Sequence, residues 1–150
     1  EAVADLLRAR PPRPVGAGWA AVRDRLRALL AADQARPPAG RRHRTFSRDE
    51  FAALCAAAGG VTSPDALPGF LHRSGVVFHR PGLFADRVIL DQQWALDAVY
   101  ALLDRARALP ALRGRGRFTR ADVEWVAWRD HTPDEQRTFL GMMEACGICF

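Results

Sequence analysis

The sequence predicts a mainly α fold with small β-hairpins, an α+β arrangement of two winged-helix-like units in tandem with the second truncated. Three observations predict it. Helix-start signals recur at Ser47, Ser63, Asp91, Thr119 and Thr132; two short β-branched runs, Val76-Val77-Phe78-His79 and Arg87-Val88-Ile89-Leu90, are spaced as a hairpin; and the chain matches itself at a shift of 72 residues. Helix, helix, hairpin is the order of a winged helix.

Ala2 to Ala9 reads as a short helix stopped by Pro11-Pro12-Arg13-Pro14, because proline lacks the N–H and clashes with the preceding turn. Residues 1–14 are thus an upstream helix tail and linker, and the first unit spans 15–90. Trp19, Val22, Leu26, Leu29 and Leu30 lay an apolar stripe along a helix over 17–33, with Arg23, Asp24, Arg25 and Arg27 largely on the other face. Pro37-Pro38 followed by Arg41-Arg42-His43-Arg44 reads as an exposed loop. A one-pair strand is expected near Thr45 and Phe46. Ser47 and Glu50 form a capping box opening a helix over 48–58, which Gly59 and Gly60 end. Ser63 and Pro64 start another helix that reaches Arg73 before Gly75, with Pro64 suited to the first helical position. The hairpin over 76–90 closes the unit, its connecting loop too long for a tight turn.

The second unit, 91–150, repeats the order. Asp91 caps a helix over 92–108 with Trp94, Leu96, Ala98, Val99, Leu102 and Leu103 on its apolar face. A strand is expected near Arg117 and Phe118. Thr119 with Asp122 opens a helix over 120–128, and Thr132-Pro133-Asp134-Glu135 opens one over 133–145 carrying Phe139, Leu140, Met142 and Met143. Gly147 then leads into a strand, Ile148-Cys149-Phe150, the first of a hairpin whose second strand would follow residue 150. The native protein is therefore expected to continue.

The shift of 72 pairs Phe46 with Phe118, Ser47 with Thr119, Arg48 with Arg120 and Glu50 with Asp122. Without a gap it also pairs Leu71, Gly75, Val76 and Phe78 with Met143, Gly147, Ile148 and Phe150, and it sets Trp94 on Val22 and Leu102 on Leu30. A single offset that aligns a cap, a helix-ending glycine and a strand points to duplication.

Composition excludes several classes of function. No run of roughly 18 apolar residues could span a bilayer, and Glu1-Ala2-Val3-Ala4-Asp5 is not the start of a signal peptide, so a soluble cytoplasmic protein is expected. The net charge of +5 comes from arginine alone, since the chain has no lysine. That bias, with abundant Ala, Gly and Pro, fits a GC-rich genome and raises the pI without requiring a nucleic-acid surface. Cys146 and Cys149 have CxxC spacing but no second ligand pair and no redox setting, and Cys55 stands alone. His43, His72, His79 and His131 have no metal-ligand spacing, Ser74-Gly75 lacks a nucleophile elbow, and no GxxxxGK[ST] phosphate loop occurs. No catalytic, cofactor-binding or metal-binding residue is expected.

Binding is the remaining class. The second motif helices begin Pro64-Asp65 and Pro133-Asp134-Glu135, and carboxylates there suit the helix dipole while repelling DNA phosphates. A protein-facing role therefore leads, with His72, Leu83, Phe84, Trp94, Trp125 and Trp128 as candidate partner contacts. The alternative is a nucleic-acid-binding tandem winged helix using Arg41, Arg42, Arg44, Arg113, Arg115 and Arg117, and a further one is the winged-helix region of a bacterial STAND-type NTPase.

Three stretches carry a family resemblance: Phe70-Leu71-His72-Arg73-Ser74-Gly75-Val76-Val77-Phe78-His79, Leu83-Phe84-Ala85-Asp86-Arg87-Val88-Ile89-Leu90-Asp91-Gln92-Gln93-Trp94, and Ala98-Val99-Tyr100. With Met142-Met143-Glu144 and Gly147-Ile148-Cys149-Phe150 they resemble the COR domain of Roco proteins, in its N-terminal half, COR-A. Gln92 departs from the proline usual in the family before the glutamine-tryptophan pair. The resemblance implies a segment between a Ras-like Roc GTPase domain and the second half of COR, in a chain that often also carries leucine-rich repeats or a kinase. It further implies that this segment packs on the GTPase, helps couple nucleotide state to dimerisation and signalling, and leaves GTP and magnesium to the adjacent domain.

Overall fold

Side-chain caps open four of the six described helices. In the computed structural model, which describes residues 16–82, 86–104 and 118–148, the first helix, α1, runs over Ala17–Gln34. A short 3-10 turn at Pro38–Gly40 and the strand β1, Thr45–Phe46, follow it. Helix α2, Arg48–Ala58, opens at the Ser47 capping box: the Ser47 hydroxyl accepts from Glu50 N at 3.2 Å and the Glu50 carboxylate accepts from Ser47 N at 2.7 Å. Next come α3, Leu67–Arg73, strand β2, Val88–Ile89, and α4, Gln92–Leu103, which the Asp91 carboxylate caps by accepting from Trp94 N at 3.1 Å. Helix α5, Arg120–Val123, widens into a π-helical turn at Glu124–Trp128, and α6 is Pro133–Ala145. Thr119 with Asp122 and Thr132 with Glu135 form complete capping boxes for the last two helices. Among the described residues the fold is mainly helical with a small two-stranded antiparallel sheet, in which Thr45 pairs with Ile89 and Phe46 with Val88.

Several expectations are corrected. Helix α3 starts at Leu67, not Pro64. Proline 68 has no N–H to bond the residue 64 carbonyl, so the chain turns instead through Ala66 N to Ser63 O and Leu67 N to Pro64 O. The hairpin is reduced to one bridge, Phe78 with Ile89, whose two backbone hydrogen bonds are each 2.8 Å. Pro81 cannot donate to a longer ladder, and Val88–Ile89 pairs with β1 on its other side. Helix α4 ends at Leu103, where Asp104 turns extended at φ −64° and ψ 113°. Phe118 and Ile148 lie in no strand, since neither meets a pairing segment among the described residues. The expected helix over 2–9, the hairpin tip with Leu83 and Phe84, residues 105–108 of the helix expected over 92–108, Arg117, Cys149 and Phe150 lie outside the described residues.

Strand β2 divides the interior. Val88 and Leu90 join a core with Val22, Leu26, Phe51, Leu67 and Leu71, while Ile89 between them joins a second with Ala95, Val99, Trp128, Phe139 and Met143. Successive strand residues point to opposite faces, so two residues of chain link the cores. In the first core α1 approaches the end of α2 so closely that a Cβ on Gly18 would lie 2.6 Å from the Gly59 carbonyl oxygen.

The 72-residue shift reappears in backbone geometry. At the end of α3, Ser74 N bonds Phe70 O, Gly75 N bonds His72 O, and Val76 N bonds Leu71 O; at the end of α6, Cys146 N, Gly147 N and Ile148 N bond Met142 O, Glu144 O and Met143 O. Both glycines are left-handed, at φ 71° and 67°. The helices differ only upstream, where Leu140 occupies the place of Pro68 and lets α6 begin earlier.

Candidate interaction surfaces

The basic loop at 41–44 is held in place by Asp33, in the last turn of α1. Its side chain is only 3% exposed and accepts from Arg42 N at 2.8 Å, His43 N at 2.5 Å and Arg36 Nη1 at 3.1 Å, with His43 Nδ1 at 3.2 Å. Burial pushes the Asp33 carboxyl up, but the His43 and Arg42 backbone donors and the His43 imidazole outweigh it and hold the group below its ordinary value. Asp33 is therefore a charged anchor that organises the loop.

From that loop two arginines reach the second core. Arg44 Nη1 lies 3.2 Å from Glu135 Oε1 and its guanidinium 5.2 Å from the Trp94 ring centroid, while Arg41 Nη1 lies 3.6 Å from Asp91. Between the loop, β2 and the start of α6 lies a polar pocket of 290 Å³, lined by Arg41, Arg42, Arg44, Thr45, Glu50, Arg87, Thr132, Asp134, Glu135 and Thr138. The structure thus brings Arg41, Arg42 and Arg44 together, with two of them engaged inside the molecule. Arg113, Arg115 and Arg117 lie outside the described residues.

A larger groove of 710 Å³ runs between α3, the Phe78 segment and the end of α6. Gly69, Phe78, Met142 and Ala145 contribute its apolar wall, and His72, Arg73, His79 and Arg80 a basic rim opposed by Asp65. His72 stands at the C-terminal end of α3 with its ring 6.2 Å from that of Phe78. Burial lowers the pKa of His79, with a hydrogen bond to the Arg87 backbone opposing.

The candidate tryptophans separate. Trp128 is fully buried and donates its indole N–H to Ala98 O at 2.8 Å, which makes it a core residue with no face for a partner. Trp94 is partly buried, its ring 4.8 Å from Phe139 in an edge-on contact. Trp125 is 72% exposed and carries the Arg129 guanidinium 4.6 Å over its ring. Tyr100 and Leu103 on α4, Phe118 and Ile148 are the other large exposed apolar side chains among the described residues.

Among the described residues no group of three or more His, Cys, Asp or Glu side chains could hold a metal ion. Cys55 is buried, and desolvation raises its pKa, which suppresses the reactive thiolate. No described helix is long and apolar enough to cross a membrane. Sequence reasoning missed Asp33, Arg87 and Thr138 as builders of the loop and pocket. For Asp33 a signal existed: a carboxylate in the last turn of a helix opposes the dipole and needs compensating donors.

Residues 16–150 match the family model described as C-terminal of Roc, COR-A domain. No curated protein and no solved structure matches the chain.

Proposed function

The chain belongs to the COR-A family of domains lying C-terminal of Roc, and from that premise we propose that it is a non-catalytic regulatory interaction module of a Roco-type GTPase. In this reading it packs against the Roc GTPase domain of its own chain and the second half of COR, and couples nucleotide state to dimerisation and signalling in the cytoplasm. GTP and magnesium are bound by the adjacent domain. The observation that carries it is the open groove between α3 and α6, with an apolar wall and a basic rim and elements of both cores in its lining. A partner seated there would sense how the two cores sit. The recurrence of caps at a shift of 72 residues supports two winged-helix-like units, 15–90 and 91–150, as the framework.

The competing reading, nucleic-acid binding through the arginine loops, is disfavoured by the pairing of Arg41 with Asp91 and of Arg44 with Glu135. The test is fluorescence anisotropy with the parent protein's Roc domain, loaded with GDP or a non-hydrolysable GTP analogue, beside a mixed-sequence DNA duplex at low and physiological salt. Saturable Roc binding whose affinity depends on the nucleotide, weakened by His72→Ala or Met142→Ala, is the expected result. Salt-resistant duplex binding with no Roc binding overturns the proposal.

A further inference from the structure

We propose that the polar pocket at the seam between the two cores is a binding site for a small phosphate-bearing anion. Its 290 Å³ are lined by four guanidiniums, Arg41, Arg42, Arg44 and Arg87, against three carboxylates. Those carboxylates are already engaged. Glu50 accepts from Ser47 N and has Arg87 at 4.0 Å, Glu135 accepts from Thr132 N and Arg44, and Asp134 pairs with Arg137, which is not among the lining residues.

The guanidiniums are not exhausted by these contacts. Each carries five N–H donors and no acceptor. Arg44 uses Nη1 on Glu135 and Nη2 on Pro38 O, Arg41 uses Nη1 on Asp91, and the Nε of each is enclosed away from the recess, so these two guanidiniums frame it chiefly with their charge. Arg42 is exposed and its guanidinium meets no acceptor among the described residues. Thr45 and Thr132 accept at their hydroxyls, from Arg87 Nε and Glu135 N, which leaves both hydroxyl protons to give. The open guanidinium of Arg42 and two hydroxyl protons, in a recess framed by the charge of Arg41, Arg44 and Arg87, suit a tetrahedral oxyanion with three or more acceptor oxygens better than a two-oxygen carboxylate.

The lining comes from both sides of the seam, with Arg42 and Arg87 on one and Thr132 and Thr138 on the other. An anion held there ties the two cores together and stabilises the folded chain by mass action.

The experiment titrates the chain with inorganic phosphate and, separately, pyrophosphate at constant ionic strength, read by calorimetry, by melting temperature and by amide NMR shifts. Saturable binding of either anion with a Kd of about 1 mM or tighter is expected. Amides of Thr45 and of Thr138 should shift together, and the melting temperature should rise. Arg42→Gln, at an exposed position that folding does not need, should weaken binding about tenfold, whereas Arg25→Gln, an equal loss of charge on the exposed face of α1, should not. Absence of saturation, equal weakening by both variants, or an unchanged Kd in Arg42→Gln overturns the proposal. No GTPase domain takes part in the measurement, so its failure leaves the COR-A reading standing.

Discussion

The guanidinium of Arg44 lies 5.2 Å from the centroid of the Trp94 ring and so joins the loop before β1 to the helix that opens the second core. Glu135 holds the same guanidinium at 3.2 Å, with both side chains about a quarter exposed. Partial burial leaves the pair less screened than a surface ion pair, and the stacked ring adds a cation–π term.

Arg44→Ala should therefore cost about 1–2 kcal/mol, read as a fall in the urea midpoint. Arg44→Lys keeps the charge but loses the planar face and the fork, and should recover less than half of that loss. If alanine and lysine behave alike at the wild-type midpoint, the contact contributes nothing to holding the cores together.

Asp33→Ala leaves two backbone N–H donors without their acceptor and should destabilise by about 2–4 kcal/mol at neutral pH. The folded-state pKa of Asp33 is depressed, so its stabilisation is fully present above the unfolded value near 3.9 and is lost as pH falls through the lower folded value. Chemical denaturation at a series of pH values should show wild type and variant converging only at pH below about 4. A gap that stays constant down to pH 2 would falsify the anchoring role.

How far the fold was legible divides along the same line between local and distant causes. Ser47, Thr119 and Thr132 announce their helices because a capping box is complete within four residues, and Gly75 and Gly147 end theirs for an equally local reason. The bridge of Phe78 to Ile89 and the pairing of β2 with β1 depend on segments some tens of residues apart, and the sequence suggested a longer hairpin. Pro68 was visible, but its consequence for Pro64 required deciding which of two prolines governs the turn. The pocket was the least legible, because Arg42, Arg87 and Thr138 meet only when both cores are assembled.

Gly18→Ala tests the close approach of α1 to α2. Alanine is the better helix former, yet its Cβ would fall 2.6 Å from the Gly59 carbonyl oxygen, and backbone cannot swing aside as a side chain can. A loss of about 1–3 kcal/mol is expected by thermal denaturation. A gain in stability would show that the helices part without cost.

Trp125 and Trp128, three positions apart, should respond in opposite ways. Trp128→Ala removes a fully buried ring and its bond to Ala98 O, and should cost about 3–5 kcal/mol of folding stability. Trp125→Ala should change stability by no more than about 0.5 kcal/mol, yet weaken binding of the Roc domain by about tenfold or more if the ring is a partner anchor. Measuring both variants by denaturation and by Roc titration separates the roles.

Gly75 and Gly147 offer a test of the internal repeat that does not depend on any partner. Both sit at positive φ, and at both an added Cβ would meet nothing within 4 Å, so alanine there costs backbone strain alone. Gly75→Ala and Gly147→Ala should each lose about 1 kcal/mol, and asparagine, which tolerates the left-handed region, should lose less at both sites. Matched losses, with the same order of alanine and asparagine, follow if the ends of α3 and α6 are one motif used twice. A loss confined to Gly75 would mean that the hydrogen bonds at the end of α6 contribute little to stability, and the two caps would then be alike in geometry but not in energy.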